Sequence, residues 1–281
     1  MPTTAARLIK KYKRGNTLPH IVTRLAQLIN DEDSTLRDFE EIISLDPALV
    51  GRLLTLVNSS YYGLVHKVDS VSRAIALLGM KNLHNIAVTD ALKGMFRSKK
   101  RNAAFSHDRL WIHCAATGIC SKMLAERIFS INGDDAYLAG ILHDIGLIVE
   151  WQGAEQKFLE VYNRLQADGP SIIELEQEYI GTDHCEIGYL LAGEWQMSES
   201  LCEAIRDHHS KNESTVPESL TGILQMSEYI LSQLDFTLKD NIPISLSNTL
   251  AHHIQENMDE YQVLAEDLPE EIERVRNLYG N

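Results

Sequence analysis

Six of the eleven histidines in this chain fall between residues 107 and 209. They are His107, His113, His143, His184, His208 and His209, and several adjoin carboxylates, as in His143-Asp144, Asp183-His184 and Asp207-His208-His209. Imidazole nitrogen together with carboxylate oxygen suits zinc, iron or manganese. The pair His143-Asp144 carries the strongest signal. It sits in residues 136–149, which read as a single helix, apolar nearly all round and therefore buried. A carboxylate buried there is costly unless it is paired or bound to a cation. Gly146 costs about 1 kcal/mol against alanine inside a helix, but it lets a neighbouring helix approach closely. Taken singly, the other histidines read more simply. His113 fits a hydrogen-bonded core histidine, and His184 the start of a helix. His208 and His209 would diverge by about 100° on a helix, one facing the core and one facing water.

The elements that must position these residues are all helical in pattern. Thr35-x-x-Asp38 and Ser171-x-x-Glu174 are capping boxes. Asp46-Pro47 is an N-cap followed by proline at the first helical position. Asp183 can cap the next helix, with Glu186 three residues on. No sustained alternation marks a strand. Asn132-Gly133-Asp134-Asp135, Asp168-Gly169-Pro170 and the stretch 210–219 read as loops, and Arg97 to Asn102 as a linker. The expected fold class is all-α, with stacked helices in two lobes: a basic N-terminal helix at 1–16, an N-terminal helical lobe at 17–100, and a longer lobe at 101–281 with a helical C-terminal extension.

Composition narrows the function classes. A net charge of −14 repels phosphate backbones and argues against general nucleic-acid binding. The apolar runs are too short to cross a bilayer, and the N-terminus lacks a secretory pattern. Cys114, Cys120, Cys185 and Cys202 form no CxxC pair and read as reduced thiols, so a cytoplasmic location is expected. The basic start, Arg7, Lys10, Lys11, Lys13 and Arg14, reads as a solvated helix face, with docking to an acidic partner or another subunit as the alternative.

Gly140-Ile141-Leu142-His143-Asp144-Ile145-Gly146 resembles the signature of the HD superfamily. Leu18-Pro19, residues 43–49, Leu53 to Gly63 and Ser70 to Gly79 resemble, in order, the opening of HDOD domains. The resemblance spans roughly residues 17–212. It implies an HD-domain-like fold of stacked helices and a bacterial regulatory or signalling module, a relative of HD-GYP phosphodiesterases, which hydrolyse cyclic dinucleotides at a two- or three-metal site. Carried across residue by residue, the metal ligands would be His113, His143, Asp144, His184, His208, His209 and Glu228, with Asp144 bridging and Glu228 standing where aspartate is expected. One or two divalent ions, iron, manganese or zinc, are implied. Three departures argue against cyclic dinucleotide hydrolysis. Leu147 replaces a lysine after the HD motif, Ser210-Lys211-Asn212-Glu213 replaces the Gly-Tyr-Pro element, and Arg109 replaces an acid four residues before the first histidine.

Two functions follow. One is a regulatory module with a protein partner, engaged through the N-terminal lobe and the segment from Asn58 to Gly63 with its paired tyrosines, and retaining a metal site. The other is a metal-dependent phosphohydrolase acting on a phosphate ester or nucleotide, with Arg109 or Lys211 contacting phosphate. No residue is assigned a catalytic role beyond the ligands. A homo-oligomer is compatible with either. No phosphate loop or nucleophile elbow is present.

Overall fold

A computed structural model of the protein describes residues 3–13, 20–31, 33–59, 62, 64–96 and 105–279. Arg14, Leu18-Pro19, Ser60, Tyr61, Gly63 and the linker Arg97 to Asn102 lie outside the described residues. Every regular element among the described residues is helical, so the fold is all-α.

The chain divides into two compact units, one of residues 1–16 and 95–272, the other of residues 17–94 and 273–281. In the second unit, α2 (His20–Ile29), α3 (Leu36–Ser44), α4 (Pro47–Val57) and α5 (Val71–Leu78) stack through Phe39, Ile43, Leu53 and Ile75, all buried. The Thr35–Asp38 box closes in both directions, and Asp46 accepts hydrogen bonds from the Ala48 and Leu49 amides ahead of Pro47. These local signals act where orphan amides at a helix start need acceptors.

The first unit carries the histidines. Its first helix, α1 (Thr4–Lys13), is amphipathic and buries Ala5, Leu8, Ile9 and Tyr12. The basic face is used within the unit: Lys11 Nζ donates to Gly153 O at 2.6 Å, and Lys13 pairs with Glu194. After α6 (Met80–Phe96), helix α7 (His107–Met123) continues into a π-helical turn, Leu124–Ile128. Helices α8 (Asp134–Leu142) and α9 (Ile145–Arg164) follow, then α10 (Ile172–Tyr179), α11 (His184–Glu194), α12 (Glu199–Asp207) and α13 (Leu220–Gln233). Helices α14 (Asn248–Glu256) and α15 (Met258–Tyr279) complete the chain.

The expected continuous helix over 136–149 is corrected. It breaks at His143-Asp144, where Asp144 adopts φ −99°, ψ 12°. Apolar residues flank the break on both sides, so hydrophobic patterning alone runs through it. The Asp144 carboxylate caps no amide. It turns instead toward imidazoles from three other segments, and that demand outweighs helix continuation.

Close backbone approach sets the packing. A Cβ on Gly140 would lie 2.5 Å from Gly118 N, so α7 and α8 meet at two glycines. A Cβ on Gly146 would lie 2.0 Å from His184 O, so only glycine lets the start of α11 sit against α9.

Candidate metal centre

The five histidines enter the centre from four separate segments. His113 comes from the middle of α7, His143 from the end of α8, and His184 is the first residue of α11, behind its N-cap Asp183. His208 and His209 follow α12. Glu228 comes from α13, which Ser227 ties to α7 through Ser121 Oγ at 2.9 Å. The Gln225 side chain donates to Asp207 O at 2.8 Å and Ser210 O at 2.9 Å, which clamps the turn bearing His208 and His209 to α13.

Four rings share one arrangement. His113 Nδ1 donates to Phe236 O at 2.8 Å, His143 Nδ1 to Gly140 O at 2.7 Å, and His208 Nδ1 to Ile205 O at 2.7 Å. His184 Nδ1 donates to the Glu176 carboxylate at 2.7 Å, and Glu176 also accepts from the His184 amide at 3.1 Å. With Nδ1 committed as the donor, Nε2 is left as a lone-pair acceptor in every neutral ring. These acceptors face each other in pairs: His113 Nε2 to His143 Nε2 at 3.2 Å, and His184 Nε2 to His208 Nε2 at 3.3 Å. Two lone pairs at that distance repel unless a cation lies between them. The separation matches the edge of about 3.3 Å expected for two imidazoles on one tetrahedral ion at about 2.0–2.1 Å each.

Asp144 stands between the pairs. Its Oδ2 lies 3.3 Å from His143 Nε2 and 3.5 Å from His113 Nε2, and its Oδ1 lies 3.4 Å from His184 Nε2 and 3.8 Å from His208 Nε2. Glu228 Oε1 closes the first half at 3.4 Å from His143 Nε2 and 3.8 Å from His113 Nε2. Ligand-competent groups therefore form one cluster of His113, His143 and Glu228, a second of His184, Cys185, His208 and His209, and a third of His143, Asp144 and His208 between them.

Burial gives the cluster its electrostatic character. His143 and His184 are inaccessible, and Asp144, His113, His208 and Glu228 are buried, while His209 is partly exposed. Burial raises the Asp144 carboxyl, but His143, His184 and His113 overcome it and hold the group below the ordinary range. Burial likewise raises Glu228, and the neighbouring His113 and His143 rings pull it well down. Burial lowers His143, yet Asp144 and Glu228 push it up to about 10. With neutral rings, Asp144 and Glu228 concentrate negative charge in a low-dielectric space. That charge is compensated by protons on the imidazoles or by a divalent ion, and the inward-facing Nε2 pairs suit the ion.

All seven groups expected as ligands from the resemblance thus come together in one region, buried except for the partly exposed His209, and they include His113, His184 and His209, which singly read as ordinary core or surface histidines. The two cations expected near phosphate have the following surroundings. Arg109 donates from Nε to Thr237 O at 2.8 Å and pairs with Asp240, anchoring the loop that presents Phe236 O to His113. Lys211 is exposed, in the loop after His209.

Sequence reasoning missed two participants. Cys185 Sγ lies 3.6 Å from His184 Nε2 and 3.6 Å from His208 Nδ1, although it reads as one of four scattered thiols. Burial pushes its thiol up to about 11, against the pull of His184. Glu176 is fully buried beneath His184, with Glu150 close by. Its only signal in the sequence is an acid on the apolar side of α10, eight residues before His184.

Similar proteins agree with this architecture. The family profile of the HDOD domain matches residues 16–211. An uncharacterized protein of Treponema pallidum (strain Nichols) is 29% identical over 201 residues, covering 69% of this chain and 37% of the relative. A solved structure of a candidate phosphohydrolase from Shewanella amazonensis SB2B is 26% identical with a TM-score of 0.64, covering 94% of this chain and 98% of that one. A candidate signal transduction protein from Marinobacter aquaeolei VT8 shares the fold at a TM-score of 0.75 and 20% identity, over 94% of this chain and 60% of its own. This chain therefore spans only part of the length of the Treponema and Marinobacter proteins. Because the profile covers most of the sequence, from the helices before α4 through the paired histidines after α12, the chain belongs to the HDOD domain family.

Proposed function

We propose that this chain is an HDOD regulatory module built on a buried divalent-metal centre of the HD type. The observation that carries the reading is the pair of Nε2–Nε2 contacts at 3.2 and 3.3 Å, each between rings whose Nδ1 is already committed. His113, His143 and Glu228 would hold one ion and the group around His184 and His208 a second, with the Asp144 carboxylate between them. A divalent ion there supplies charge compensation and, where a position stays open, Lewis acidity. The residues themselves orient the ligands, through Glu176 and three backbone carbonyls, and keep the ligand nitrogens buried.

Burial of the ligands favours a structural or regulatory use of the ion over turnover of a phosphate ester. Arg109 is engaged with Asp240, and Leu147, where a lysine would contact phosphate, is buried. Partner binding belongs to the unit of residues 17–94 in this reading. Leu45 and Val65 are 74% and 91% exposed there.

Metal analysis by mass spectrometry tests the proposal, on protein purified without added metal or an affinity tag, beside His143→Ala/Asp144→Ala. One or two equivalents of zinc, iron or manganese, lost in the variant, is the expected result. A wild type that folds and stays metal-free after metal is supplied overturns it. Turnover of phosphate esters or nucleotides by the loaded protein would move the assignment to a phosphohydrolase.

A further inference from the structure

We infer that the two halves of the centre are chemically unlike, and that the half formed by His184, Cys185, His208 and His209 is a closed thiolate–imidazole site selective for zinc. This rests on the metal centre proposed above and adds its asymmetry. One ligand atom from each of the four residues lies within 4.8 Å of the others. The sulfur is 3.6 Å from His184 Nε2 and 3.9 Å from His208 Nε2. A nitrogen and a sulfur on one tetrahedral zinc ion, at about 2.0–2.1 and 2.3 Å, stand about 3.5 Å apart. The His209 ring lies 4.2 Å from that of His208 and 5.1 Å from that of His184, centroid to centroid.

The backbone explains why the sulfur is there. Asp183 caps α11 by accepting from the Glu186 amide at 2.8 Å, which fixes residues 184 and 185 in the first turn. Gly146 admits that turn against α9. His184 and Cys185 then both face the turn after α12, where Ile205 O fixes the ring of His208.

Four protein donors complete a tetrahedron, and a tetrahedral set without a free position is the pattern of a structural zinc site. The other half differs: His113, His143 and Glu228 offer nitrogen and oxygen only, a set that also accommodates iron or manganese. Thiolate prefers zinc over manganese, so the halves should separate by metal and by ease of exchange.

The test is zinc-edge X-ray absorption on the full-length, zinc-loaded protein, beside Cys185→Ser and the neighbouring buried control Cys114→Ser. The expected result is a sulfur scatterer at about 2.3 Å in wild type and Cys114→Ser, absent in Cys185→Ser. Zinc affinity of Cys185→Ser should fall at least ~10-fold, with manganese affinity within about 3-fold of wild type. If Cys185→Ser does not fold, the wild-type spectrum decides alone, with Cys114→Ser assigning the sulfur. Bound zinc with a nitrogen and oxygen shell only overturns the inference and leaves the metal centre standing. A wild type that binds no metal removes both.

Discussion

Glu176 does for His184 what backbone carbonyls do for His113, His143 and His208: it accepts the Nδ1 proton and turns Nε2 inward. A carboxylate also makes the ring more basic than a carbonyl does. Glu176→Gln should therefore weaken metal binding by about 10–100-fold while leaving helix content unchanged, as read by competition with a chromophoric chelator and by circular dichroism. Unchanged affinity would show that the orientation of His184 is set by packing alone. Glu150, inaccessible on α9, is held well above its ordinary value by burial and then by the Glu176 carboxylate. Between the ordinary value and the raised one, the folded protein keeps a proton that the unfolded chain has released, so stability falls as pH rises through that window. Glu150→Gln removes the ionisation. Urea midpoints of metal-saturated protein from about pH 5 to 8 should decline for wild type and stay flatter for the variant. Parallel declines would place the slope elsewhere.

At the scale of elements, two glycine contacts hold the centre. Gly146→Ala drives a Cβ into the His184 carbonyl, and Gly140→Ala drives one into the Gly118 backbone. Backbone cannot yield as a flexible side chain can, so each should cost at least about 1–3 kcal/mol in urea denaturation. Gly146→Ala should also lower metal content, because α11 carries His184 and Cys185 away together. Gly51, an exposed position in α4 with nothing within 4 Å of its would-be Cβ, is the contrast. Gly51→Ala should stabilise by about 0.4–1 kcal/mol. A Gly146→Ala protein of wild-type stability would contradict the packing described here. The capping boxes at Thr35 and Ser171 and the cap at Asp183 were legible in sequence, because each is complete within four residues. The break at His143-Asp144 was not. Its cause lies in imidazoles up to 64 positions away, such as His208.

Across the whole molecule, the candidate ligands span His113 to Glu228 and all lie in the unit of residues 1–16 and 95–272. An ion that binds only this folded arrangement stabilises it by mass action, about 4 kcal/mol at a thousandfold excess over Kd. The chain's three tryptophans, Trp111, Trp151 and Trp195, belong to the same unit, so their fluorescence reports on it. Chelation should lower the thermal midpoint seen by tryptophan fluorescence, and zinc should restore it. A midpoint indifferent to chelator and to added zinc would mean that the unit holds together without metal.

The sequence by itself determined the helical class, four helix starts at Thr35, Asp46, Ser171 and Asp183, and the family resemblance that implies seven candidate ligands, because caps, periodicity and short motifs are local properties of the chain. It could not separate His113, His184 and His209 from ordinary histidines, nor single out Cys185 and Glu176. Those assignments depend on which atoms meet. Only the tertiary structure decided that His208 and His209 both turn toward His184, that Arg109 serves a loop, and that one thiol of four lies among the imidazoles. The physical reason is the same in each case. A ligand set is defined by convergence of side chains from distant elements, and close contacts such as Gly146 against His184 and Gly140 against Gly118 set that convergence, which no local pattern encodes.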